Sequence, residues 1–124
     1  MRKNEKNQTL MKKYPKLFVK KNMYWCGIDC HDGWYDLLDR LCSNIQQLVD
    51  GTKCDQVTVA QVKEKFGGLR FYINGGPAQV HELINMAEEV SYKICESCGK
   101  PGKLRRKQWI ATRCNECQAE EEKE

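Results

Sequence analysis

The stretch Cys95-Glu96-Ser97-Cys98-Gly99 and, beyond a spacer of fifteen residues from Gly99 to Arg113, Cys114-Asn115-Glu116-Cys117 decide how the last quarter of this chain can fold. Two thiols two residues apart can place both sulfurs on one tetrahedral ion, and a second such pair completes a closed four-cysteine site. The spacing predicts one structural Zn²⁺ held by Cys95, Cys98, Cys114 and Cys117, with no coordination position left open for chemistry. Two disulfides are the weaker reading, because the paired spacing is what a metal needs and the chain shows no export signal. Met1 to Gln8 is basic and polar, and no apolar run follows it that could form a signal core or cross a membrane. The expectation is therefore a cytoplasmic protein with no membrane partner, whose remaining four cysteines are reduced thiols.

Gly99 follows the first pair, where a positive φ lets backbone N–H groups turn toward the sulfurs. Residues 118–124 after the second pair are almost all good helix formers, which places Cys114 and Cys117 on the first turn of a helix. A knuckle, a short hairpin from Leu104 to Arg113 and a helix bearing two ligands resemble a treble clef more than a symmetric zinc ribbon. Some thirty residues bury too little apolar surface to fold alone, whereas zinc supplies on the order of 10 kcal/mol of folding free energy in isolated zinc peptides. Chelation is expected to unfold this end first.

The formal net charge of +4 hides a partition along the 124 residues. Residues 1–22 carry +7, residues 23–94 carry −4, residues 95–117 carry +4 and the tail from Gln118 carries −3. Four thiolates on one zinc reduce the third figure to about +2. Both ends are basic around an acidic middle, unlike a uniformly basic nucleic-acid binder.

Residues 1–22 read as a basic N-terminal arm with a short helix near Asn7 to Lys13, interrupted by Pro15. Trp34, Leu37, Leu38, Leu41, Ile45 and Leu48 then share one face at 3.6-residue spacing, with Asp32 as the expected N-cap and Asp50-Gly51 as the expected stop. Trp34 is expected to be buried between this helix and a sheet. Val57, Val59 and Val62 alternate with polar residues, as do Leu69, Phe71 and Ile73, with Gly67-Gly68 as the expected hairpin turn. Val80, Leu83, Ile84, Ala87, Val90 and Ile94 mark a second amphipathic helix that runs almost into Cys95. The fold class is α+β, with two helices on a small antiparallel hairpin sheet over residues 23–94 and a zinc-ribbon or treble-clef-like module over residues 95–124.

Residues 33–41 (Gly-Trp-Tyr-Asp-Leu-Leu-Asp-Arg-Leu), residues 61–72 (Gln-Val-Lys-Glu-Lys-Phe-Gly-Gly-Leu-Arg-Phe-Tyr) and the two CxxC pairs resemble a family of short uncharacterised proteins encoded in bacterial and phage genomes. The resemblance covers roughly residues 30–117. It implies that helix, hairpin and zinc module belong to one unit, and it brings no activity, no cofactor beyond zinc and no catalytic residue.

Other constellations compete for attention. Cys26, Cys30 and His31, with Cys54 further on, could ligate a second metal, although the spacing is not a recognised one. Cys42 fits the helix core as a small buried thiol. A Cys30–His31 nucleophile is disfavoured, since catalytic partners converge from distant segments and adjacent residues of an extended chain point apart. Asp32, Asp36 and Asp39 share a helix face and could suggest metal-dependent hydrolysis; their plainer roles are a cap at Asp32, solvent exposure for Asp36 and Asp39, and an Asp36–Arg40 pair. The run Lys63 to Arg70 lacks the spacing of a phosphate-binding loop. On the zinc hairpin, Lys103, Arg105, Arg106, Lys107 and Arg113 surround Trp109, a set that either binds a partner or keeps a zinc-covering tryptophan soluble. These features favour a non-enzymatic regulator or inhibitor, encoded by a phage or mobile element, that docks onto a nucleic-acid-handling or defence complex. A direct nucleic-acid binder and a small metal-dependent hydrolase are the alternatives.

Overall fold

In the structure, a computed structural model that describes residues 3–19, 25 and 27–122, two short helices, α1 (Glu5–Gln8) and α2 (Leu10–Lys13), come first. A two-residue strand β1 (Ile28–Asp29) and a 3-10 turn (Asp32–Trp34) lead into helix α3 (Tyr35–Thr52). Strands β2 (Thr58–Lys65) and β3 (Gly68–Asn74) and helix α4 (Ala78–Ser91) follow, then the hairpin β4 (Lys103–Arg105) and β5 (Ala111–Arg113), and helix α5 (Asn115–Glu122). The class is α+β.

The apolar face read along α3 is real. Trp34, Leu38, Leu41, Ile45 and Val49 are buried with Val57, Val59, Val62, Leu69 and Phe71 of the sheet region and Val80, Ile84 and Ala87 of α4. Helix α3 lies against α4, and α4 against β3. Trp34 is fully buried, and its indole Nε1 donates to the Ile94 carbonyl 2.9 Å away. Removing such a ring from a core costs about 3–5 kcal/mol. Leu10, Leu17 and Phe18 are buried in the same cluster, so the basic N-terminal segment contributes apolar anchors to the core.

Four local details differ from the sequence reading. The hairpin turn is Phe66-Gly67, not Gly67-Gly68, because Lys65 pairs with Gly68. Phe66 and Gly67 adopt φ of 53° and 86°, as a twist-matched two-residue turn demands. The three-residue step from Val59 to Val62 is explained by a bulge at Ala60, which restores Val62 to the buried face. The sheet has a third strand, β1, pairing parallel to β2 through Ile28 and Val62. Helix α3 runs through Gly51 and ends at Thr52, with Lys53 taking the left-handed cap at φ 55°.

The aspartates also change roles. Asp32 makes no capping bond to α3. Its carboxylate accepts the N–H groups of Lys6 at 3.0 Å and Asn7 at 2.8 Å, so it caps α1 across the fold. Asp39 does not simply face solvent: it accepts the Tyr14 hydroxyl and pairs with Lys13.

Candidate metal centre

Helix α4 ends at Ser91, four residues short of Cys95, so Ile94 lies beyond the helix that its spacing predicts and bridges to Pro101 at the start of the knuckle. The Cys95 N–H donates to the Lys100 carbonyl at 2.7 Å and the Gly99 N–H to the Cys95 carbonyl at 2.9 Å, which folds Cys95 to Gly99 into a tight loop. Gly99 takes φ of +85°, the conformation the sequence required of it. The second pair is built by a helix start. Cys114 sits just before α5; its carbonyl accepts the Gln118 N–H at 3.0 Å and its sulfur accepts the Cys117 N–H at 3.4 Å. A cysteine thus occupies the position that Ser or Asp takes in an ordinary N-cap.

The sulfurs of Cys95, Cys98, Cys114 and Cys117 all lie within 4.8 Å of one another. All four are free thiols. A tetrahedral ion with metal–sulfur bonds of about 2.3 Å requires sulfur–sulfur separations of roughly 3.8 Å, and Cys98 and Cys114 stand 3.6 Å apart. The donor set therefore fits a metal ion that prefers four thiolates. The Cys117 N–H holds the Cys114 thiol down to about 7 against the opposing effect of burial. Burial and neighbouring sulfurs push the Cys98 and Cys117 thiols up. Four thiolates this close need a cation among them to coexist. Cys95 and Cys114 are buried and Cys98 is exposed, which leaves one edge for an ion to enter.

The cluster is welded to the α+β body at two places. Glu96, between the first two cysteines, is buried: its carboxylate accepts the His31 N–H at 2.9 Å. Its carbonyl accepts the Gly33 N–H at 2.7 Å, and its own N–H donates to Thr112 at 3.0 Å. Any Cβ at Gly33 would overlap the Cys95 and Glu96 carbonyl oxygens, so only glycine permits this approach. The second weld joins hairpin to hairpin. The buried Thr112 hydroxyl donates to the Gly67 carbonyl at 2.6 Å, and a Cβ at Gly67 would overlap the Leu104 side chain.

The cations named from sequence divide into two groups. Arg105 donates to the Arg113 carbonyl and to Asn115, while Arg113 reaches Gln118 and, at 3.9 Å, Glu121. These two guanidiniums brace the module's own helix. Lys103, Arg106 and Lys107 are exposed, and so is Trp109, at 66%. Trp109 points outward and does not cover the cysteine cluster.

The second set of candidate ligands is not assembled. Among the described residues, the four cysteines are the one group of three or more potential ligands that comes together. Cys30 is buried beside the Asn7 amide, and His31 accepts the Lys3 N–H on Nδ1 at 3.2 Å. Cys54 lies at the edge of the core. Cys26 falls outside the described residues. The Nδ1 nitrogen of His31 thus faces the N-terminal backbone. The carboxylates of Asp32 and Asp39 are likewise spent on backbone caps and Tyr14.

A feature that the sequence reading passed over is the pair of hairpin tips brought side by side. Phe66 (62% exposed) meets Trp109 and Ile110 across a groove of about 360 Å³, also lined by Glu64, Lys65 and Gln108. The sequence carried no clear signal for it, because the expected turn at Gly67-Gly68 left Phe66 in the strand, and only the Lys65–Gly68 pairing puts Phe66 in the turn. No helix among the described residues is long and apolar enough to cross a membrane. No family model, curated protein or solved structure matches this chain, so its function has to be read from the site.

Proposed function

We propose that this chain is a small non-enzymatic zinc-binding protein that acts by docking onto a nucleic-acid-handling complex, as a regulator or inhibitor. The observation that supports zinc binding is the closed set of four thiols within 4.8 Å of one another. The protein supplies all four ligands, so the ion would keep no position for water or substrate and serve as a structural Zn²⁺ in a treble-clef-like arrangement. Cys95 and Cys98 would hold it from the knuckle, and Cys114 and Cys117 from the start of α5. Bound there, the ion would neutralise the thiolates and tie α4, the β4–β5 hairpin and α5 together.

Docking is supported by what the zinc hairpin leaves outside. Arg106, Lys107 and Trp109 are exposed at its tip, where they stabilise little of the fold. Exposed charges contribute little to stability, whereas an aromatic buried at an interface can carry much of the binding energy. The test has two parts. Metal analysis of the purified protein should return one zinc per chain, and Cys114→Ser should lose it. Arg106→Gln with Lys107→Gln should weaken capture of the partner complex from host extract while zinc content and melting temperature stay at the parent's values. A folded sample without zinc refutes the structural-zinc reading; undiminished capture by the charge variant refutes docking through this hairpin.

A further inference from the structure

The two hairpin tips share an economy that the fold itself does not explain. At the first position of the β2–β3 turn stands Phe66 at φ 53°, where Asn or Gly would cost less. Across the groove, Gln108 is also left-handed, at φ 55°, and precedes Trp109. Both rings are about two-thirds exposed, so neither is held out for the sake of the core. Unfavourable backbone kept at an exposed aromatic is a mark of function. The tips are also fixed relative to each other through the Thr112–Gly67 hydrogen bond.

We propose that the groove between Phe66 and Trp109 binds unpaired nucleic acid, with the two rings as stacking surfaces for bases and Lys65, Arg106 and Lys107 as contacts for the phosphates. This deepens the docking reading and rests on it. Size favours a strand over a protein surface. A stable protein interface covers about 800 Å² on each partner, while Phe66, Trp109 and Ile110 are only three apolar side chains around 360 Å³, a volume suited to a small ligand or one nucleotide unit. The groove itself is lined by one cation, Lys65, whose Nζ stands 5.7 Å from the centre of the Phe66 ring, and by Glu64. The exposed Arg106 and Lys107 flank it on the neighbouring cleft, where the backbone of a strand leaving the groove would meet them. Of the nearby carboxylates, Glu64 accepts the Gly67 N–H and so helps hold the turn. Glu122 lines the neighbouring cleft with Arg106 and Lys107 and offsets part of their charge. Base stacking needs open faces, so a duplex would gain only the phosphate contacts.

The test uses the full-length, zinc-loaded protein and a short thymidine oligonucleotide, the same length of uridine RNA and a matched DNA duplex, at low and moderate salt. Tryptophan fluorescence and the anisotropy of labelled strands report binding. Single strands should quench Trp109, bind about tenfold or more tightly than duplex, and weaken as salt rises. Trp109→Ala and Phe66→Asn should each weaken binding by about tenfold. Asparagine accepts a positive φ, so Phe66→Asn should melt no lower than the parent; a fold defect cannot then account for its loss of binding. No binding at low salt, equal affinity for duplex, or parent-like binding by both ring variants overturns the proposal. A nuclease-resistant partner captured through Trp109, with no oligonucleotide bound, would keep the docking reading and overturn this one. Absence of both kinds of binding would overturn the two together.

Discussion

Tyr14 and Asp39 show how single residues join the N-terminal segment to the body. The Tyr14 hydroxyl donates to the Asp39 carboxylate, which also pairs with Lys13 at 2.9 Å. The hydrogen bond from Tyr14, ahead of Lys13, holds the Asp39 carboxyl below its usual 3.8. Burial first, then Asp39, pushes the Tyr14 phenol above its usual 10.0. The signs follow. A depressed carboxylate adds stability that is complete above 3.8 and fades as pH falls through its lower folded value. A raised phenol adds stability that is complete below 10.0 and fades as pH climbs toward its folded value. Tyr14→Phe should therefore cost about 1.5–3 kcal/mol at neutral pH, the range for a hydrogen bond to a charged group. Urea unfolding should show that difference shrinking below pH 3.8; a pH-independent difference would mean the ring, not the hydroxyl, matters. This pair was not legible in the sequence, because twenty-five positions separate its members and no periodicity links them.

At the scale of elements, local pattern located the long pieces and missed the joints. Helices α3 and α4 and the β2–β3 hairpin announce themselves through repeated apolar spacing. Strand β1, with two residues, has no period to read, and the Ala60 bulge shows only once its partner strand is in view. Asp32 is the clearest case. Standing before an apolar helix it reads as that helix's cap, yet its carboxylate serves α1. A four-residue helix cannot persist alone, since nucleation outweighs so few hydrogen bonds. Asp32→Ala should cost about 1 kcal/mol, the usual loss for a capping side chain. Hydrogen exchange should speed up at the Lys6 and Asn7 amides and stay unchanged in the first turn of α3. The opposite pattern would return the cap to α3.

Over the whole molecule, the four-cysteine cluster lies outside the apolar core and is tied to the α+β body by hydrogen bonds. The Gly33 N–H reaches Glu96, the Trp34 indole reaches Ile94 and Thr112 reaches Gly67, so residues flanking the cysteines are hydrogen-bonded to the start of α3 and to the β2–β3 turn. If the cysteines hold zinc as proposed, stripping it should expose the segment from Cys95 onward to protease and, through these bonds, change the fluorescence of the buried Trp34. Helix content from α3 and α4 should persist, and added zinc should restore the signal. Loss of the C-terminal segment with no change at Trp34 would show the two parts to be uncoupled. Spacing along the chain was enough to name the four thiols, the apolar face of α3, the Val80, Ile84 and Ala87 stripe of α4 and the α+β class, because each depends on residues a few positions apart; Val90 is exposed and Ile94 lies past the helix end. The tertiary structure alone decided that Arg105 and Arg113 brace α5 while Arg106 and Lys107 stay exposed, that Trp109 faces outward and meets Phe66, and that Gly33 must be glycine. These depend on distances between residues far apart in the chain, which only the packed fold defines.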